Sequence, residues 1–333
     1  MRINRLGKNG VACNYVNTTL VAIFEPHAKS QIEIMKRIFY LTTFSLLFLI
    51  SGLFGQTTSL RQQIENITKN QQADIGVSIS GIENNDALSI NGNKSYPLMS
   101  VFKFPIALYV LQQVDKGKLD INQKIFITKG DVTPKTWSTI RDKYPNGNTE
   151  LSLAEILTYT VSQSDNIGCD ILLKLVGGPI AVQNYIINIG ITGFVIKVNE
   201  EEMRGDFDSQ RINTATPIAT AQLLKIFYTR NILTKKSTEF LKKIMTEAST
   251  GNDRIKGQLP KETSVAHKAG TSDTNEEGLT IATNDVGVVS LPNGKHFAIS
   301  IFVSNSKESS DTNAKIISDI SKLMWDYFTG TTE

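Results

Sequence analysis

Ser100-Val101-Phe102-Lys103 sets a hydroxyl and an amine three residues apart. On a helix, positions i and i+3 are neighbours on one face, so the Lys103 amine can reach the Ser100 hydroxyl. A serine hydroxyl is a poor nucleophile until a base takes its proton, and a lysine that is desolvated or crowded by other cations can act as that base. A helix beginning at the same place would also offer free N–H groups to an oxyanion. Two further clusters follow: Ser164-Asp165-Asn166 about sixty residues on, and Lys268-Ala269-Gly270-Thr271-Ser272 about a hundred beyond that. Singly, each has an ordinary explanation as a helix cap, a turn or a charge on an edge strand. Those three explanations do not account for the clusters occurring together and in this order.

The elements that must position these groups are legible in outline. Ser59 to Gln72 reads as a helix. Gly76 to Ile82 and Leu88 to Asn91 alternate around Glu83-Asn84-Asn85-Asp86 as a hairpin. From Val101 to about Met245 the pattern is mostly helical: Ser152-Leu153-Ala154-Glu155 is a capping box, Gly177-Gly178 stops a helix, and Thr216-Pro217 starts one. Pro105 lacks the N–H that a helix running from Ser100 would need, so local distortion is expected there. Ser264 to Ala269, Gly278 to Leu291 and Lys295 to Ser304 return to strand character, with Pro292-Asn293-Gly294 as a turn. Asn313 to Phe328 places Ile316, Ile317, Ile320, Leu323, Met324 and Tyr327 on one helical stripe suited to core packing. The expected fold is mixed α/β (α+β): a five-stranded antiparallel sheet flanked by the terminal helices, and an all-helical subdomain. The sheet part covers about 56–96 and 247–333 and the helical part about 97–246, with the site in the cleft between.

Composition narrows the function classes. With 333 residues, 40% of them hydrophobic, the chain can bury a full core. Its formal charge of +3 invites a nucleic-acid reading, but Met35-Lys36-Arg37 followed by the apolar run Ile38 to Ile50 has the form of a secretory leader. The expected division is an extra segment 1–34 upstream of the true start, whose translation is left open, a signal peptide 35–55 with Gly55 at the cleavage point, and a mature catalytic domain 56–333. Removing residues 1–55 takes away six basic residues (Arg2, Arg5, Lys8, Lys29, Lys36, Arg37) and two acidic ones (Glu25, Glu33), leaving 29 basic against 30 acidic. A near-neutral chain without a basic stripe has no electrostatic footprint for nucleic acid. Cys13 lies in the expected leader and only Cys169 remains, so the mature chain has no intrachain disulfide. The two remaining histidines, His267 and His296, have no ligand-like spacing, so neither a metal nor a cofactor is expected.

Taken in order, the three clusters resemble the signature of class A serine β-lactamases and penicillin-binding proteins, S-x-x-K with S-D-N and K-T-G. The resemblance spans the whole expected mature chain. It implies that Ser100 attacks a lactam carbonyl, that Lys103 assists removal of its proton, and that Ser164 relays a proton to the leaving nitrogen. Asn166 would hold the substrate's side-chain amide. Lys268, Gly270 and Thr271 would form the end that meets the substrate carboxylate, with the Thr271 and Ser100 N–H groups receiving the oxyanion. By spacing, Glu200 in Asn199-Glu200-Glu201-Glu202-Met203-Arg204 stands where class A enzymes carry the glutamate that activates the deacylating water; Glu201 and Glu202 read as exposed. Two positions depart from the pattern. Ala269 replaces the usual hydroxyl of K-T-G, and Arg204 stands where many class A enzymes have asparagine, a change similar to the extended-spectrum subgroup acting on bulky cephalosporins. Arg254 is a candidate partner for the substrate carboxylate, and Trp137, ahead of Tyr144, for the aromatic lip of the cleft. The implied protein is a periplasmic, monomeric β-lactamase that acts on a small-molecule β-lactam and has no nucleic-acid partner and no membrane association after leader cleavage. The alternatives are a D-alanyl-D-alanine peptidase and a β-lactam sensor that acylates without turning over.

Overall fold

The computed structural model describes residues 60–84 and 86–331, together with Met35, Lys36 and Phe39; the expected leader and its cleavage point otherwise lie outside the described residues. From Leu60 onward the chain forms one unit. It runs through α1 (60–68), β1 (Asp74–Gly81), β2 (Ala87–Ile90), β3 (Tyr96–Pro97), α2 (Lys103–Asp115), β4 (Lys124–Ile127), α3 (Thr139–Lys143), β5 (Thr149–Ser152), α4 (Leu153–Ser162) and α5 (Asn166–Val176). Then come α6 (Pro179–Asn188), β6 (Phe194–Val195), α7 (Glu200–Met203), β7 (Thr214–Ala215), α8 (Pro217–Thr229), α9 (Lys235–Thr246), β8 (Val265–Thr271), β9 (Thr280–Ser290), β10 (His296–Ser306) and α10 (Ser310–Thr329).

Five strands form one antiparallel sheet in the order β2-β1-β10-β9-β8, so the first hairpin and the last three strands meet as expected. Both faces of this sheet are covered. On β10, Phe297, Ile299, Ile301 and Val303 pack with Ile316, Ile317, Ile320 and Met324 of α10 and with Leu60 and Ile64 of α1. Ala298 and Phe302 belong instead to the larger core shared with the helices. Two-sided cover is why β9 and β10 are buried along nearly their whole length rather than at alternate residues. The stripe predicted for the last helix lands on this core, although Leu323 and Tyr327 lie at its margin.

Local sequence signals start and stop the helices around the cleft. Ser152 and Glu155 cap α4 reciprocally, Asp165 caps α5 through the Gly168 N–H, and Thr216 caps α8 with Pro217 in its first turn. Gly177 ends α5 in the left-handed region at φ +92°. The middle of the chain is not helical throughout. β4 and β5 pair as a ribbon, and the two-residue strands β3, β7 and β6 form a small sheet where the chain crosses between the large sheet and the helices.

The serine does not begin a regular α-helix. Met99–Phe102 is a 3-10 turn, and α2 starts at Lys103. An α-helix running from Ser100 would require Pro105 to donate to the Val101 carbonyl, and proline has no N–H. Starting α2 two residues earlier in the chain leaves Pro105 in the first turn, where its missing N–H has no intrahelical partner to lose. Met99 enters the turn at φ +45°, a strained value for a side-chain-bearing residue.

The edge strand β8 lies directly against this turn. A Cβ on Gly270 would stand 2.7 Å from the Leu98 carbonyl oxygen and 3.2 Å from the Ser100 nitrogen, so only glycine lets the strand approach so closely. Gly270→Ala is therefore expected to cost about 1–3 kcal/mol by overpacking against backbone. In a thermal melt this appears as a Tm several degrees lower, at about 2–4 °C per kcal/mol for a chain of this size; an unchanged Tm would contradict the close approach.

Candidate active site

Lys103 is fully buried, and its Nζ stands within reach of four oxygens from three parts of the chain. It donates to Ser100 Oγ at 2.9 Å, to the Ser164 carbonyl at 2.8 Å and to Asn166 Oδ1 at 2.5 Å. Glu200 Oε1 lies 2.8 Å away as its counter-charge. An ammonium has three hydrogens, so one of the four oxygens is always left without one. In the structure that oxygen is Glu200 Oε1, which receives no aligned hydrogen bond although it is buried. A cation and a carboxylate removed from water hold one another here, beside the serine hydroxyl.

The Ser164-Asp165-Asn166 turn joins α4 to α5 and is held from within. Ser164 takes φ +59°, a left-handed conformation that is unfavourable for serine unless its surroundings fix it. Those surroundings converge on Asp165, whose carboxylate accepts from Ser138 Oγ at 2.8 Å, the Ile140 N–H at 2.8 Å and the Gly168 N–H at 2.8 Å. Its own N–H donates to the Tyr159 carbonyl at 3.0 Å. With Asp165 fixed, Ser164 Oγ faces Lys268, and Asn166 spans from Lys103 to Thr136 Oγ1, to which its Nδ2 donates at 2.6 Å.

Glu200 opens the short helix α7, buried to 4% exposure, while Glu201 and Glu202 are exposed as the sequence suggests. Glu202 also closes a capping box with Asn199. The helix is held in place from α5: Asp170 accepts the N–H of Glu200 at 2.8 Å and of Glu201 at 3.1 Å. Burial pushes the Asp170 carboxyl up to about 6, with the two N–H groups and Arg204 pulling the other way. Arg204 ends α7 and lines the cleft.

On β8, Lys268 is fully buried and donates to Ser164 Oγ at 2.9 Å and to the Ala269 carbonyl at 2.9 Å. Burial, and then the Lys103 cation, pull its ammonium down to about 7 against the opposing fields of Asp285 and Glu200. The Ser272 N–H bonds the Ala282 carbonyl on the β9 side, and residues alternate in an antiparallel pair. The Thr271 N–H therefore points off the free edge of the sheet, on the side of the Ser100 turn. Arg254 reaches the same edge from behind: its Nη2 donates to Thr271 Oγ1 at 2.6 Å and its Nη1 to the Gly270 carbonyl at 2.9 Å.

These groups border a cleft of about 840 Å3, lined by Ser100, Trp137, Asn166, Glu200, Thr271 and Asp273 among others, which adjoins a smaller space of about 310 Å3 at Ser164 and Ala269. Trp137 is 64% exposed at its mouth and donates to the Gln163 carbonyl, whereas Tyr144 packs on the helical core. The ten residues named from sequence for catalysis and substrate binding thus stand at one cleft or directly against it, Arg254 from beneath, whereas Tyr144, the second aromatic candidate, does not line it. Asp165, Asp170, Ser138 and Thr136 were not singled out. Asp165 showed itself only as a helix cap, and nothing local marks Asp170, which meets Glu200 across 30 residues. Among the described residues no cluster of His, Cys, Asp and Glu is arranged to hold a metal.

Residues 59–328 match the family described as the Beta-lactamase enzyme family. Beta-lactamase VEB-1 of Pseudomonas aeruginosa is 51% identical over 89% of this chain and 99% of its own length. Among solved structures, the TLA-1 extended spectrum beta-lactamase is 50% identical with a TM-score of 0.80, covering 82% of this chain and 99% of that one. A representative class A beta-lactamase from Bacteroides cellulosilyticus is 38% identical with a TM-score of 0.79, covering 82% and 98%. With the family spanning most of the sequence and these structures superposing on the same sheet and helices, the chain belongs to the β-lactamase enzyme family as a class A serine β-lactamase similar to the extended-spectrum subgroup.

Proposed function

We propose that the enzyme opens the lactam amide of penicillins and cephalosporins through an acyl-enzyme on Ser100, which water activated by Glu200 then hydrolyses. The observation that carries this reading is the meeting of the Ser100 hydroxyl and the Glu200 carboxylate on the Lys103 ammonium. In acylation Ser100 Oγ bonds to the lactam carbonyl carbon and gives its proton to the Lys103–Glu200 pair. The N–H groups of Ser100 and Thr271 receive the oxyanion, where each donor is typically worth about 10²–10³ in rate. The ring C–N bond breaks as Ser164 Oγ protonates the nitrogen and recovers a proton from the Lys103–Glu200 pair, the one Ser100 gave up, which returns Glu200 to its carboxylate for the deacylating water. Lys268, bonded to Ser164 Oγ, keeps its own proton. Asn166 orients the substrate's side-chain amide; Lys268, Arg254 and Thr271 face its carboxylate. The broad cleft beside Arg204 supports acceptance of bulky side chains. With the leader expected at 35–55, the site of action is the periplasm, where hydrolysis confers resistance. A peptidase would share the three motifs but deacylate β-lactams slowly, and a sensor would acylate and stop; the buried carboxylate of Glu200 beside the serine favours turnover.

Glu200→Gln keeps the shape and removes the base. It is expected to slow deacylation by about 10²–10⁴ and to leave a β-lactam adduct on Ser100 that intact-protein mass spectrometry detects. Unchanged turnover without an adduct would remove Glu200 from the mechanism.

The lowered ammonium pKa of Lys268 sets a pH limit. Its cation is present below about 7 and is lost as the pH rises through that value, so attraction for a substrate carboxylate fades on the alkaline side. For carboxylate-bearing β-lactams kcat/KM should fall as the pH rises from about 7 toward 9, and Lys268→Arg, which stays charged, should flatten that limb. A wild-type profile level through this range would contradict the assignment.

A further inference from the structure

We propose that the buried pair His267–Asp285 positions the carboxylate-binding end of the cleft by fixing the loop that carries Arg254. The inference rests on the reading that Arg254 and Thr271 meet the substrate carboxylate. His267 on β8 and Asp285 on β9 are both fully buried, and Nδ1 lies 3.0 Å from each carboxylate oxygen. A carboxylate can only accept, so the ring donates from Nδ1. Gly287 opposes His267 in the register, and a Cβ there would come within 2.7 Å of the His267 Cβ; glycine makes room for the ring.

The second donor to Asp285 comes from outside the sheet. The Ile255 N–H reaches Oδ2 at 3.2 Å, which stitches the loop to β9 at the residue next to Arg254. The same loop rests on β8 at Gly251, where a Cβ would stand 2.5 Å from that of Ala269. The small side chain that replaces the usual hydroxyl therefore lies directly beneath the arginine loop.

Arg254 is 8% exposed, and its guanidinium is held by neutral acceptors only: the carbonyls of Gly270 and Asn284 and the hydroxyl of Thr271. Among the described residues no carboxylate stands within salt-bridge distance of it; Asp285 and Asp253 offset its burial from farther away. A direct ion pair would consume the charge that a ligand needs. Because His267 and the Ile255 N–H hold the Asp285 carboxylate, the field reaches Arg254 while the guanidinium keeps its capacity for an incoming carboxylate. Asp285 and His267 are thus positioning residues that act through Arg254 and Thr271.

The test compares a chromogenic cephalosporin carrying its free ring carboxylate with the methyl ester of the same compound, in the wild type, Arg254→Ala, Asp285→Asn and the double variant. Asp285→Asn should lower the preference for the acid over the ester by about tenfold, through KM and with kcat within about twofold, and should add little in the Arg254→Ala background. Loss of preference in Arg254→Ala but not in Asp285→Asn would overturn the inference and leave the carboxylate reading standing. No loss in either would remove the carboxylate reading itself. An equal decline for acid and ester in Asp285→Asn would show a general structural role and also overturn it. Should Asp285→Asn fail to melt cooperatively, His267→Gln, which moves the donor off Nδ1 while Asp285 stays charged, reads the same ratio; an unchanged ratio there contradicts the inference.

Discussion

One buried ammonium holds the site together. Lys103 Nζ brings the hydroxyl of Ser100, the proposed nucleophile, the strained Ser164 carbonyl, the Asn166 amide oxygen and the Glu200 carboxylate to a single point, joining three separate parts of the chain. Its burial is tolerable only because the Glu200 charge is buried with it, and the reverse is equally true. Three hydrogens shared among four oxygens make an arrangement that can hand a proton from one neighbour to another with little movement. The helices, the edge strand and the turns serve mainly to keep those oxygens in place.

Strain is concentrated at the same point. Met99 at φ +45° and Ser164 at φ +59° both adopt left-handed backbone without being glycine; one precedes the Ser100 hydroxyl and the other carries the second hydroxyl proposed for the chemistry. Such conformations cost about 1–3 kcal/mol each and persist only when the surroundings over-determine them. Asp165, with three donors on one carboxylate, does this for Ser164, and the approach of Gly270 does it for the Ser100 turn. Lys268 then links the two halves by reaching from β8 to Ser164.

How much of this could be read in the sequence depended on range. Caps and breakers act within four residues, so the Ser152 box, the Thr216-Pro217 start and the Gly177 stop stood at their expected places. The S-x-x-K spacing brought Lys103 to Ser100 even though the helix expected there is a 3-10 turn, because i and i+3 meet in either geometry. The resemblance supplied the long-range grouping that no local pattern contains, Glu200 above all. What stayed hidden were contacts made by unremarkable residues across long loops: Asp170 under Glu200, Ser138 under Asp165, and Asp285 behind His267. His267 read as a solitary histidine on a strand, since its partner is a buried aspartate 18 residues away rather than a second metal ligand.

The central claim is that Glu200, held against Lys103, lets the enzyme release what Ser100 captures. Mixing the protein with an excess of a chromogenic cephalosporin and following the burst and the steady rate in one trace tests it most directly. The account predicts many turnovers per enzyme, absent in Ser100→Ala. A burst of about one equivalent followed by silence would contradict it, because Ser100 would then be acylated without Glu200 being placed to free it.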